Sequence, residues 1–244
     1  MDTLVGLVVI GVALLWGAAA GALLPRAAYR FSVEAEEEWR ELCPGGHRVP
    51  GWLGRARCPQ CATRYGPRTV PVALTTALLC AALAAATDTR PELAVWLLLT
   101  PVGVLLALVD LRVRRLPDVL TLPLAVAALV LLGVVALVPE HAGDWPTAVW
   151  GSLALGAGYL VLHLINPGGM GFGDVKLALG VGAVLGWYGW ATVMLGTFAG
   201  FLFGALYGGV LVTLRKAGRK TAIAFGPFMI AGAYAGLLIG AYAA

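Results

Sequence analysis

The segment LALGVGAVLGWYGWATVMLGTFAGFLFGALYGGVLVTL, residues 177–214, contains no Asp, Glu, Lys or Arg. A helix of about 20 apolar residues crosses the ~30 Å hydrocarbon core of a bilayer, so this run is long enough for two crossings. Its middle, Gly186 to Trp190, combines glycines with aromatic residues of the kind that collect at membrane surfaces. The run therefore predicts two transmembrane helices joined by a tight turn.

The rest of the chain has a similar composition. Hydrophobic residues make up 60% of the sequence and charged residues 12%, which excludes a soluble globular domain. Because the first apolar run lacks a preceding basic segment, we interpret it as a retained helix rather than a signal peptide. The sequence predicts an all-α polytopic membrane protein with about eight transmembrane helices. The other runs without acidic or basic residues are 3–25, 69–87, 93–109, 119–139, 145–173 and 221–244.

Basic residues indicate how these helices are oriented. Alternating crossings place the segments 26–68, 110–118, 167–176 and 215–220 on one side, and of the 17 Lys and Arg residues only Arg90 lies elsewhere. The positive-inside rule puts that side in the cytoplasm and both termini outside. The net charge of +4 thus reflects orientation in the lipid bilayer, and no basic and aromatic surface indicates nucleic-acid binding.

The first cytoplasmic loop is the only connecting segment long enough to fold by itself. The chain accordingly divides into a first transmembrane helix (1–25), this loop (26–68) and a seven-helix membrane core (69–244). The loop begins with the acidic sequence SVEAEEEWREL, residues 32–42, for which we predict a helix. Nothing in the sequence indicates an oligomeric state.

Three of the four cysteines lie in this loop. Cys58-Pro-Gln-Cys61 has the spacing at which two thiolates bind one tetrahedral zinc ion, and Cys43 with His47 would complete a Cys₃His site. Unmetallated thiols are the alternative, whereas a disulfide does not suit the reducing cytoplasm. We predict a small zinc-knuckle-like loop in which zinc is structural. Cys80, within the second span, is interpreted as a small packing residue.

Two aspartates adjoin apolar runs at the predicted cytoplasmic helix ends. Asp110 closes the run PVGVLLALVD, and Asp174 follows the glycines of GGMGFGD. An ionisable group so near hydrocarbon is costly, which makes each aspartate a candidate functional residue. Helix capping is the other interpretation, and we predict it for Asp118. Asp174 could cap a helix beginning at Val175 and also act chemically, because the nearby glycines permit close backbone approach.

Two carboxylates in one site suggest acid–base catalysis. When they lie close together, mutual repulsion separates their titration, so that one takes a proton from an attacking water while the other donates a proton to the scissile amide. No serine or cysteine has a partner base in the sequence, and His163 is interpreted as a packed or lumen-facing polar residue rather than a ligand. The pair therefore predicts an aspartic peptidase at a membrane face.

Three blocks of the sequence carry a further pattern: ALVDLRVRRLPDVLTLPL (107–124), GMGFGDVKLALG (169–180) and AFGPFMIAG (224–232). They resemble the signatures of the type IV prepilin peptidases, intramembrane aspartic peptidases with a GxGD motif. The resemblance implies that Asp110 and Asp174 are the catalytic pair and that Asp118 is a second, non-catalytic acid. It also implies a prepilin or pseudopilin substrate and a place in the cytoplasmic membrane of a prokaryote. A short basic leader would be cut between a glycine and a phenylalanine or similar residue.

Many members of that family also N-methylate the new N-terminus with S-adenosylmethionine, and this sequence departs from them around the first loop. Gly46 stands where the second cysteine of another CxxC pair is usual, Ala73 stands where a glutamate is usual, and the first helix lacks its asparagine-bearing end. Losing several polar groups from one site leaves cofactor groups unpaired. We therefore expect cleavage without efficient methylation, and S-adenosylmethionine is a doubtful cofactor.

A membrane transporter is the competing hypothesis. The glycine-broken segment 167–174 and Asp174 would suit ion or proton coupling. A transporter leaves the Asp110 block and the large cytoplasmic loop unexplained, so we prefer the peptidase.

Overall fold

The computed structural model describes residues 3–34, 36–214 and 223–244, and within these ranges the chain forms eight α-helices. The only β-type pairing in these ranges is two isolated bridges in the first loop. The predicted all-α architecture with eight helices is confirmed. The basic segment 215–220 used for the orientation lies outside the described residues. The helices are α1 (Thr3–Phe31), α2 (Thr69–Thr87), α3 (Glu92–Val113), α4 (Asp118–Val135), α5 (Trp145–Ile165), α6 (Phe172–Gly186), α7 (Trp190–Thr213) and α8 (Gly226–Ala243).

Seven of the helices in the described part of the chain are long and apolar enough to cross a membrane, which makes this a multi-pass membrane protein. The exception is α6, whose 15 residues rise only about 22 Å. It is short because residues 166–171 form a glycine-containing loop between α5 and α6. The predicted tight turn is confirmed, since α6 ends at Gly186 and α7 begins at Trp190.

α6 is the central helix of the bundle. It packs against α4, α5, α7 and α8, and most of its side chains are buried. Its contact with α5 requires glycine, because a Cβ atom on Gly182 would lie 2.3 Å from the carbonyl oxygen of Gly151. α7 and α8 meet in the same way, where a Cβ atom on Gly232 would lie 2.3 Å from the amide nitrogen of Gly200. Small residues thus set the spacing of the helices, as is typical of membrane bundles.

The first helix continues past the predicted apolar run 3–25 as far as Phe31. Pro25 has no N–H group and therefore interrupts the helical hydrogen bonds. Gly54 of the first loop bonds to the backbone on both sides of this proline. Its N–H donates to the carbonyl of Leu23 at 2.7 Å, and the N–H of Arg26 donates to its carbonyl at 3.0 Å. The loop is thereby attached to the end of α1.

The helix predicted for residues 32–42 is wrong. The described residues of this segment have no helical structure, and the chain turns back along α1. The Trp39 ring packs edge-on against Phe31 with 5.0 Å between centroids, and the Arg40 N–H donates to the Arg30 carbonyl at 3.2 Å. A helix here would also place Glu34 beside Glu38, and like charges four residues apart destabilise helices.

Candidate active site

Asp110 and Asp174 lie at the same end of the helix bundle. Asp110 is in the last turn of α3 and Asp174 is in the first turn of α6, and both side chains are buried. They line one cavity of about 320 Å³. The fold therefore brings together two aspartates from different helices, as the sequence analysis expected of a catalytic pair.

Asp110 is held by the first residue of α8. The Gly226 N–H donates to Oδ2 of Asp110 at 3.0 Å. A Cβ atom on Gly226 would lie 2.7 Å from the same oxygen, so a larger residue would displace the carboxylate. The α8 N-terminus, which carries partial positive charge, thus faces Asp110. The sequence analysis gave Gly226 no role, although a glycine before proline at the start of an apolar run was an available signal.

Asp174 forms a hydrogen bond across the start of its own helix. α6 begins at Phe172 rather than at Val175, so Asp174 is its third residue. Its Oδ2 accepts a hydrogen bond from the Gly171 N–H at 3.1 Å. The carboxylate therefore satisfies one of the free N–H groups at the start of α6 and is also fixed at the cavity wall.

Asp118 is not the predicted cap of α4. Pro117 occupies the N-cap position without a side-chain hydrogen bond, and Asp118 is the first helical residue. Its Oδ2 instead accepts a hydrogen bond from Lys176 Nζ at 2.5 Å. The ion pair joins α4 to α6 beside the two buried aspartates, because Asp118 and Lys176 both line their cavity.

His163 was interpreted from the sequence as a packed or lumen-facing polar residue. Its hydrogen bond to the glycine-containing loop of residues 166–171, called the glycine loop below, was not predicted. Its Nδ1 donates to the carbonyl oxygen of Met170 at 2.8 Å, which requires the tautomer with hydrogen on Nδ1. Its ring packs 5.5 Å from that of Phe172. His163 thus anchors the loop immediately before Asp174. No sequence pattern pointed to this contact, because it joins the end of α5 to a backbone carbonyl.

The predicted metal ligands form one cluster. The ligand atoms of Cys43, His47, Cys58 and Cys61 all lie within 4.8 Å of one another. Cys43 Sγ is 3.7 Å from both His47 Nδ1 and Cys61 Sγ, and Cys58 Sγ is 3.8 Å from His47 Nδ1. A tetrahedron with zinc–sulfur bonds of 2.3 Å has edges of about 3.8 Å, so these residues fit a zinc ion.

The local backbone explains how four ligands meet. The bridge between Leu42 and Arg48 brings Cys43 near His47, and the bridge between Arg57 and Arg64 closes the Cys58–Cys61 turn. A hydrogen bond with the Thr63 side chain lowers the pKa of the Cys61 thiol to about 6. The lower pKa favours the thiolate, which is the form that binds metal.

The loop that carries this cluster contacts both α1 and the wall of the aspartate cavity. The Tyr29 hydroxyl donates to the Leu42 carbonyl at 2.9 Å, and the Arg30 guanidinium lies 4.0 Å from the centre of the Trp52 ring. Arg115, which lines the cavity, donates to the Glu34 carbonyl. The Cys/His loop is therefore connected to the aspartate cavity through Arg115.

Comparisons with known proteins agree with the motifs. A family model described as the type IV leader peptidase family matches residues 97–209, which include both aspartates. The chain is 37% identical over 197 residues to a prepilin leader peptidase/N-methyltransferase from Aeromonas salmonicida, covering 78% of this chain and 64% of the relative. It is 38% identical over 200 residues to a protein of the same description from Aeromonas hydrophila, with the same coverage.

The alignment with a third relative covers a larger share of that relative's length. The prepilin leader peptidase/N-methyltransferase of Pseudomonas aeruginosa is 33% identical over 217 residues, covering 81% of this chain and 71% of the relative. By contrast, the chain spans less than two thirds of the length of the Aeromonas relatives. No solved structure matches the chain.

Proposed function

The chain belongs to the type IV leader peptidase family, and on that basis we propose that it is an intramembrane aspartic endopeptidase. Its substrates are type IV prepilins or pseudopilins, from which it removes the short basic leader peptide at the cytoplasmic membrane face. Asp110 and Asp174, two buried carboxylates from α3 and α6 that share one cavity, support this proposal most directly.

In the proposed hydrolysis, one aspartate acts as general base and the other as general acid. The ionised carboxyl group takes a proton from a water molecule as the water oxygen attacks the scissile carbonyl carbon. The protonated carboxyl group donates its proton toward the amide, the carbon–nitrogen bond breaks, and the new amino terminus leaves with the proton. Hydrogen bonds from Gly226 and Gly171 each hold one carboxylate oxygen in position during these steps.

The proposed setting is the cytoplasmic membrane of a prokaryote with both termini outside. Asp110, Asp174 and the Cys/His loop all belong to segments that the distribution of Lys and Arg assigns to the cytoplasm. The basic leader of a prepilin lies on that side, and its apolar helix lies in the bilayer. In this arrangement residues 69–244 form the peptidase core, and the loop that follows α1, residues 32–68, holds one structural zinc and braces the helix ends.

Cleavage of a prepilin by the purified protein tests the proposed activity. With a prepilin in detergent or lipid, we expect two products whose masses place the cut after the leader, next to the apolar helix. The same mass spectrum reports methylation of the mature N-terminus when S-adenosylmethionine is supplied. If the prepilin stays intact after incubation with correctly folded protein, the peptidase proposal is overturned. The same result is the one expected of a transporter.

We expect that spectrum to show an unmethylated N-terminus. The A. salmonicida relative is described as both peptidase and N-methyltransferase, but this chain lacks several polar groups of the first loop. Gly46, which replaces a cysteine, has a φ of 79°, a conformation that L side chains rarely adopt, and His47 provides the fourth ligand instead. A dominant product heavier by one methyl group would contradict this expectation.

His163 is expected to affect turnover by positioning the glycine loop. Removing its hydrogen bond to Met170 in His163→Leu should lower kcat about 10-fold with little change in KM, because the loop sets the position of Asp174. Asparagine can place an amide N–H where Nδ1 donates, so His163→Asn should recover most of the rate. Steady-state kinetics of both variants decide the matter, and equal rates for the two would refute the positioning role.

A further inference from the structure

A second cavity lies inside the helix bundle, next to the aspartate cavity. It has a volume of about 400 Å³ and is lined by apolar residues of α2, α3, α4, α6 and α8. This volume is within the range of about 300–1,000 Å³ that is usual for ligand pockets. The mechanism above makes no use of this cavity.

The three helices that form the aspartate site also line this cavity. On α3, Gly103 and Ala107 line the cavity, and Asp110 follows them at the spacing of successive helical turns on one face. On α6, Leu177 and Val181 lie three and seven residues after Asp174. The cavity therefore lies along the same faces of α3 and α6, beginning next to the turns that carry the two carboxylates.

α8 contributes in the same way. Ile230 and Tyr234 line the cavity one and two turns after Gly226, the residue that holds Asp110. Along α3 the lining extends from Leu111, next to Asp110, back to Trp96, a rise of about 22 Å. The cavity thus starts beside the site, and its length is most of the thickness of a bilayer.

Few polar groups lie in the cavity wall, and two of them, on Thr100 and Tyr234, are already bonded within the protein. The Thr100 hydroxyl donates to the Trp96 carbonyl at 2.7 Å, and the Tyr234 hydroxyl donates to the Leu79 carbonyl at 2.8 Å. A polar ligand would lose its hydrogen bonds to water without replacement. The chemistry of the wall therefore suits hydrocarbon groups.

We propose that this cavity binds the apolar side chains that follow the scissile bond in the transmembrane helix of the substrate. The proposal rests on the proposed peptidase function, because it assigns the cavity to the part of the substrate that remains in the membrane after the cut. The position of the cavity identifies its occupant. A substrate whose scissile bond lies between the two aspartates would continue along α3, α6 and α8 into this space. Gly103 then determines specificity, because its lack of a side chain keeps the cavity open.

Filling the cavity tests this assignment. A Cβ atom on Gly103 would meet only Ile230 Cγ2, at 3.7 Å, so a side chain can start here without a clash, and leucine would extend into the cavity that Gly103 lines. The matched control is Gly158→Leu, since Gly158 is an exposed helical glycine of α5 whose added Cβ would contact nothing within 4 Å. We expect Gly103→Leu to lower kcat/KM about 10-fold on a prepilin, and the control to match wild type.

Changing the substrate separates this result from a general loss of activity. A prepilin with alanine in place of the large apolar residues in the first three turns after the cut should be cleaved equally by wild type and Gly103→Leu. Equal kcat/KM of both enzymes on the unaltered prepilin would overturn the proposal and leave a lipid chain as the occupant. If Gly103→Leu unfolds, Ala107→Val provides a smaller filling, with the same two outcomes. Failure of the peptidase function itself would appear as no cleavage by wild type or Gly158→Leu.

Discussion

Asp174→Asn and Asp110→Asn are each expected to lower the rate of leader cleavage by about 10²–10⁴-fold. Asparagine keeps the size of the side chain and can accept the same N–H bond, but it cannot take or give a proton. The two buried carboxylates share one cavity, and in the proposed mechanism they divide the acid and base roles, so we expect the loss of either to remove most of the activity. Single-turnover cleavage of a prepilin by each purified variant measures the effect.

Asp118→Asn is the matched control for these variants. Asp118 lines the same cavity, but its side chain is 58% exposed and pairs with Lys176. Exposed ion pairs contribute only about 0–1 kcal/mol to stability, so this variant should retain most of its cleavage. Substantial cleavage by Asp110→Asn or Asp174→Asn, with wild-type thermal stability and membrane insertion, would exclude that residue from the catalytic pair.

Removal of one thiol from the Cys/His cluster is expected to abolish zinc binding. We expect about one zinc per chain in protein purified without chelator, and a small fraction of that in Cys43→Ala or Cys58→Ala. Cys43 and Cys58 are buried in the small core of the loop, so the loop should also become open to proteolysis when the metal is lost. Elemental analysis and limited proteolysis report the two effects separately.

Cys80→Ala provides the control for the zinc experiment. Cys80 is buried among Ala13, Ala84 and Leu93 in a different part of the protein, so its loss removes a thiol without touching the cluster. Zinc content and protease resistance should therefore stay at the wild-type level. Wild-type protein with almost no zinc, or Cys58→Ala with undiminished zinc, would show that the cluster consists of plain thiols.

The sequence predicted the features that depend on long or local patterns. Charge-free runs predict membrane helices because charged groups are costly in hydrocarbon, and glycine with aromatic residues predicted the turn after α6. The candidate aspartates were found because acids are rare beside such runs. The clustering of Cys43, His47, Cys58 and Cys61 was predicted because their spacing along the chain matches that of zinc-binding sites.

The errors and omissions concern contacts between segments that are distant along the chain. Asp118 was predicted from local capping rules, but Lys176 on another helix is its partner. The acidic segment 32–42 follows α1 because Phe31 and Arg30 offer contacts that its own composition does not reveal. The roles of His163 and Gly226 depend on one hydrogen bond each, made across the tertiary structure.

The short length of α6 has a consequence for the proposed reaction. Its 15 residues leave it about 8 Å shorter than a full crossing of the hydrocarbon core. Because neighbouring helices surround it, this deficit leaves an indentation at one end of the protein, lined by Arg114, Lys176 and other polar groups. An indentation of this kind can admit water below the level of the surrounding lipid headgroups. If the protein cleaves prepilins as proposed, the substrate can then stay at its normal depth in the bilayer during hydrolysis.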